Sequence, residues 1–172
     1  NIAEYAQALA AKMPGDLKVC YFVNSGSEAN DLAVLMARAF TGNYDLIALR
    51  NAYHGGNSTG MALTAHSSWK FNVPHSFGVH HALAPDPYRG VFAGDPNAAQ
   101  KYADDVKSVI DYATPGRVGG FVAESIQGVG GTIVVQSQTR HLDPDDIWST
   151  VEREKVNMMT IVGDAFGRPL AD

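Results

Sequence analysis

The chain holds one cysteine in 172 residues, Cys20, so no disulfide can form within it. Cys20 lies in the apolar run Val19 to Val23, which predicts a small buried core residue and suits a reducing compartment. No apolar run reaches the roughly 18 residues of a membrane-spanning helix, and no basic-then-apolar leader stands at the N-terminus. Basic clusters are missing too. With 13 Lys+Arg against 18 Asp+Glu, the net charge of -5 argues against nucleic acid or an anionic membrane as the main partner. His66, His75, His80 and His81 raise the question of a metal, but no two have the i, i+4 spacing of a helical zinc site and no cysteine joins them, so no metal site is expected. Internal repeats and low-complexity segments are also absent. The chain opens on Asn1 in mid-helix pattern, which reads as a piece of something longer.

What is present suffices for one domain with a core, since 45% of the residues are hydrophobic. Ile2, Tyr5, Ala6, Leu9, Ala10 and Met13 mark one face of a helix that Pro14-Gly15 ends. Residues 18–23 read as a buried strand. Leu32, Leu35, Met36, Ala39 and Phe40 form the expected core stripe of the next helix, closed by Gly42. A short strand is expected over 45–49. From Asn51 to Asn97 the pattern loosens into Gly, Pro, His and Ser, a long loop of the functional or partner-covered kind. Asp95-Pro96 starts a helix with Ala99, Tyr102, Ala103, Val106, Val109 and Ile110 on its apolar face, and 118–123 returns to a buried strand ending at Glu124. Asp143-Pro-Asp-Asp146 begins another helix, and 156–162 reads as a last strand. Alternating strands and helices define an α/β, three-layer fold with a mainly parallel sheet.

Phe22-Val-Asn-Ser-Gly-Ser-Glu-Ala-Asn30 is the most informative stretch. A strand, a Ser-Gly-Ser turn and a helix start make an anion cradle: unpaired N–H groups at the positive end of the helix dipole suit a phosphate. The same letters also make a plain capping box, with Ser25 capping the helix and Glu28 reaching back. Two further stations follow at later strand ends, Ala52-Tyr-His-Gly-Gly56 and Glu124-Ser-Ile-Gln-Gly-Val-Gly-Gly131. Ligands of open α/β sheets bind outside the carboxyl ends of the strands, where cradle, aromatic plate and carboxylate could meet one ring-bearing cofactor. Singly, Tyr53 reads as well as a half-buried surface tyrosine, and Glu124 as a solvated strand-end carboxylate.

In order and spacing, these three stations resemble the class III pyridoxal-phosphate aminotransferases, especially their alanine-glyoxylate branch, over about residues 1–132. The resemblance implies part of the large domain of a fold type I enzyme, with pyridoxal 5'-phosphate as cofactor. Gly26 and Ser27, with Ser25 beside them, would hold the phosphate. Tyr53 would be the ring partner, His54 and Gly55 would shape its turn, and Glu124 would lie near the ring. Related branches that use diamines or ω-amino acids usually carry a second Glu where this chain has Val129, so the resemblance favours an amino acid such as alanine and a 2-oxo acid such as glyoxylate. It also implies a homo-oligomer and suggests the mitochondrial matrix.

The resemblance stops near Thr132. The family's pyridine-pairing Asp motif and its covalently bonding lysine have no counterpart, and no catalytic residue is assigned, so the chain as given is expected to be inactive. Residues 133–172, from His141-Leu-Asp-Pro-Asp-Asp146 to Thr160-Ile-Val-Gly-Asp-Ala-Phe-Gly-Arg168, look like a helix-strand segment of adenylate-forming acyl-CoA synthetases that could complete the same sheet. Asp164 follows that strand as the pyridine-pairing Asp would, or simply forms a strand-end turn. Two alternatives to an aminotransferase fragment are a non-catalytic α/β module and an acyl-CoA ligase fragment.

Overall fold

The computed structural model describes residues 1–13 and 15–124. The expectations for the helix at Asp143, the strand over 156–162, the Gly130-Gly131 join and Asp164 lie outside these residues. The described residues belong to two units, 1–29 and 30–124.

In the first unit, α1 (Ile2–Lys12) forms where the apolar spacing predicts it, with an Asn1–Glu4 capping box at its start. Of its expected apolar face only Leu9 is buried, and Tyr5 instead tilts against Phe22 with ring centroids 5.4 Å apart. Residues 17–23 are irregular, not a strand, and Val19, Tyr21, Phe22 and Val23 are exposed. The physical reason is pairing: an apolar run becomes a strand only when a neighbour satisfies its backbone, and this run shares no ladder with the described strands. Cys20 accordingly is half-buried rather than a core residue, its Sγ 3.8 Å from the Ala6 carbonyl.

The second unit is an α/β sandwich. Its parallel sheet has the order β2-β1-β3, with β1 (Leu46–Leu49) in the centre, β2 (Val79–Ala82) on one side and β3 (Gly120–Val122) on the other. Leu46 pairs with Val79 and Gly120, and Ala48 with His81 and Val122. Because side chains alternate along a strand, β1 feeds two cores. Leu46 and Ala48 pack with Val34 of α2 (Gly26–Thr41) and Leu63 of α3 (Ser58–Leu63), whereas Ile47 and Leu49 pack with Ala82 and with Val106, Val109 and Ile110 of α4 (Ala98–Ala113). Helices cover both faces, the three-layer arrangement that the alternation of elements predicts.

Several expectations need correction. The buried face of α2 centres on Val34, while Leu35, Met36 and Phe40 are exposed, Phe40 at 92%. The i, i+3, i+4, i+7 spacing finds a stripe but not its polarity: Val34, between the larger apolar residues, packs on the sheet, and a Cβ added at Gly120 would lie 3.9 Å from the Ala37 methyl. On α4, Tyr102 is buried and Val106, Val109 and Ile110 face the sheet, but Ala99 and Ala103 are exposed. The loop over 51–97 contains α3, a 3₁₀ turn at Ser67–Trp69 and β2. β2 escapes hydrophobic pattern reading because its centre is His80-His81. Those imidazoles are accommodated by partners, His80 Nε2 at 2.9 Å from Asp45 and His81 Nε2 at 3.2 Å from the Leu63 carbonyl. β3 is shorter than expected and its Phe121 is 52% exposed, since α4 lies over β1 and β2.

Candidate cofactor site

Ser25 caps α2: its Oγ accepts the Glu28 N–H at 3.2 Å and its carbonyl accepts the Ala29 N–H at 3.0 Å. Glu28 in turn accepts the Asn24 N–H at 2.7 Å, one residue earlier than an ideal capping box. The bland reading of Ser-Gly-Ser-Glu is thus realised. The Ser25 hydroxyl, which accepts one bond, still has a proton to give. Gly26 and Ser27 open the helix half-buried, at the positive end of the dipole.

In the second unit, Tyr53 and His54 follow the carboxyl end of β1, and Glu124 follows that of the adjacent parallel β3. All three therefore emerge at the carboxyl edge of one sheet, as the spacing predicts. That edge also holds a topological switch: the chain leaves β1 toward α3 on one face, and leaves β2 toward α4 on the other.

Tyr53 is half-buried and packs against Trp69, ring centroids 5.2 Å apart at 52°. Trp69 went unassigned at the sequence level, and the only signal was an aromatic in the following loop. His54 is held by its backbone. Its N–H donates to Thr64 Oγ1 at 2.9 Å, and its carbonyl accepts Asn30 Nδ2 at 2.8 Å. Burial first, and the neighbouring His81 imidazole second, push the His54 imidazole below its ordinary pKa and favour its neutral form. Its Nε2 is buried without a hydrogen-bond partner among the described residues, and so is Nδ1 of His66. Half-buried Glu124 adds a carboxylate. Among the described residues no group of three His, Cys, Asp or Glu side chains is arranged to hold a metal ion.

These residues fit pyridoxal phosphate in kind: a hydroxyl-bearing helix start for a phosphate, an aromatic face for a pyridine, and buried polar atoms still to be satisfied. A parallel three-layer sheet with polar groups at its carboxyl edge is an open α/β architecture, and solved fold type I transaminases carry the same fold. One crystallised with L-alanine superposes with a TM-score of 0.69 over 90% of this chain and 37% of that one, at 24% identity. An omega transaminase from Pseudomonas jessenii in complex with PMP gives 0.69 over 90% and 35%, at 26% identity.

The particular family follows from sequence. The model for aminotransferase class III matches residues 1–141, and the chain belongs to that family, whose cofactor is pyridoxal phosphate. The match runs past Thr132. Among curated relatives, the mitochondrial alanine–glyoxylate aminotransferase 2 homolog 2 of Arabidopsis thaliana is 54% identical over 132 residues, covering 77% of this chain and 27% of that protein. Human mitochondrial alanine–glyoxylate aminotransferase 2 is 38% identical over 149 residues, covering 76% and 29%. The chain thus spans under a third of the length of these relatives.

Proposed function

We propose that this chain is the part of an alanine–glyoxylate-type aminotransferase that receives pyridoxal phosphate. The reading is carried by the 54% identity over 132 residues with the Arabidopsis thaliana homologue. Bound cofactor would supply an electron sink for exchanging an amino group between an amino acid such as alanine and a 2-oxo acid such as glyoxylate. Gly26 and Ser27 would offer N–H groups to the phosphate, and Ser25 its hydroxyl. Tyr53 would lie against the ring and keep water from one face, His54 would hold the turn, and the Glu124 carboxylate would sit near the ring. Val129, in place of a second carboxylate, suits substrates with no distal amino group. A homo-oligomer in the mitochondrial matrix completes the reading, in keeping with the exposed Val19, Phe40 and Phe77 and with the mitochondrial relatives.

The test is a pyridoxal-phosphate titration read by Trp69 fluorescence in a Trp148→Phe background. Saturable quenching is expected, and it should vanish when Gly26 and Ser27 are both changed to Asp. Carboxylates in the first turn favour the helix, so the double variant stays folded while repelling a phosphate. Quenching that survives the change would sink the cradle. The capping network of Ser25, Glu28 and Asn24 favours a second reading, a structural cap in a non-catalytic module, which predicts no saturable response at all.

A further inference from the structure

The backbone clasp on His54 carries one step more. Three independent features converge on the turn between β1 and α3. Asn30, the residue of α2 one helical turn after Gly26, gives its Nδ2 to the His54 carbonyl at 2.8 Å. Thr64, fully buried, accepts the His54 N–H at 2.9 Å and gives its own proton to the Gly60 carbonyl at 2.8 Å. Gly60 lets α3 approach closely: a Cβ there would meet the His54 carbonyl oxygen and the Gly55 carbonyl carbon, each at 2.8 Å. A second α2 contact, the Thr59 hydroxyl on the Asp31 carboxylate, fixes the start of α3 in the same way.

A turn in which residue 54 has both backbone groups tied to side chains is over-determined. With Trp69 packed against the Tyr53 ring, little freedom is left for Tyr53. We propose that Asn30 and Thr64 are positioning residues for Tyr53, pre-setting the aromatic plate in the orientation in which it receives the pyridine ring. The assignment rests on the cofactor reading above. Pre-organisation of this kind acts on affinity, because a plate already in place loses no rotamer freedom on binding. Neither residue touches the cofactor in this scheme.

The experiment titrates pyridoxal phosphate into the 172-residue chain, again with Trp69 as the only tryptophan. Asn30→Ala and Thr64→Val should each weaken binding by on the order of tenfold, the worth of one well-placed hydrogen bond. Thr64→Ser keeps the hydroxyl and should restore near-normal affinity, which a role in filling space would not predict. Arg38→Ala is the control. It removes bonds from α2 to the Tyr44 and Phe77 carbonyls, away from the turn, and should lower stability while leaving affinity within about twofold. Absence of saturable quenching in the unsubstituted chain rejects the cofactor reading itself, and the positioning role with it. Quenching that is normal in the parent and unchanged in Asn30→Ala rejects only the positioning role. So does an equal loss in Arg38→Ala, which would make the clasp a matter of general stability.

Discussion

Two apolar runs, Val19 to Val23 and Leu46 to Leu49, look alike in the sequence and end differently. The second is the centre of a parallel sheet, every residue buried, with helices against both of its faces. The first is irregular and exposed, with Val19 at 79%. Composition states a demand for cover, and the fold decides whether the demand is met. β1 finds β2 and β3 for its backbone and two layers of helix for its side chains, whereas the run over 19–23 shares a ladder with neither.

The sharpest way to break this contrast is to cut into the covered run. Ile47 is fully buried between β1's neighbours and α4, so Ile47→Ala should lose about 2–5 kcal/mol of stability through lost transfer energy and a cavity. The denaturant midpoint measures it, and a loss below about 1 kcal/mol would mean that β1 is not the core strand.

The same contrast explains what the sequence could and could not tell. Elements whose signal is local were legible: α1, the strand at 46–49, α4 and the Ser25 cap are written in periodicity and capping letters. The positions of Tyr53 and Glu124 just beyond strand ends were legible too, since they follow strands that the pattern finds. Missing were facts that depend on what sits opposite. β2 is a strand because β1 supplies its ladder and because Asp45 and the Leu63 carbonyl receive its histidines. The buried side of α2 belongs to Val34 because the sheet lies there, although Leu35 and Phe40 are the larger residues. Trp69, Asn30 and Thr64 gain meaning only when the chain brings them to the Tyr53 turn.

A second effect tests close packing in the covered unit. Gly60→Ala would force a methyl against the His54–Gly55 backbone, and about 1–3 kcal/mol of overpacking should exceed the helical gain of about 1 kcal/mol that alanine brings. Net destabilisation, with a weakened Tyr53–Trp69 signal in near-ultraviolet circular dichroism, is the expected result. A stabilised variant with the signal intact would show that the turn has room.

Acid is the third probe, because the described residues of the covered unit include two imidazoles, His54 and His81, that burial pushes below their ordinary pKa. His54 is lowered from 6.5 by burial first and by His81 second, and His81 is lowered from 6.5 by burial first, against the bond to Leu63. Unfolding frees both to bind protons below about pH 6.5. Stability present above that pH is therefore lost as the pH falls toward the lowered folded-state values, at no more than about 1.4 kcal/mol per pH unit for each group. Urea midpoints at pH 7.5 and 5.5 measure the slope, and a midpoint that rises on acidification would contradict neutral burial of the pair.

The smallest expected effect bears most directly on the uncovered run. Val19→Ser removes two methyl groups from a side chain that is already mostly in water, so it forfeits almost no transfer free energy and leaves no cavity. Stability should stay within about 0.5 kcal/mol of the parent. That holds only while the run remains exposed in solution. If two copies of the chain associate through it, Val19 passes out of water and the same substitution acquires the cost of an interface apolar residue, with a midpoint that depends on protein concentration. Measuring the midpoint of parent and variant at two concentrations a hundredfold apart separates the cases. A concentration-independent difference near zero leaves residues 19–23 uncovered. A penalty above about 1 kcal/mol that grows with concentration would show the demand met by a second molecule, and the two runs would then differ only in who supplies the cover.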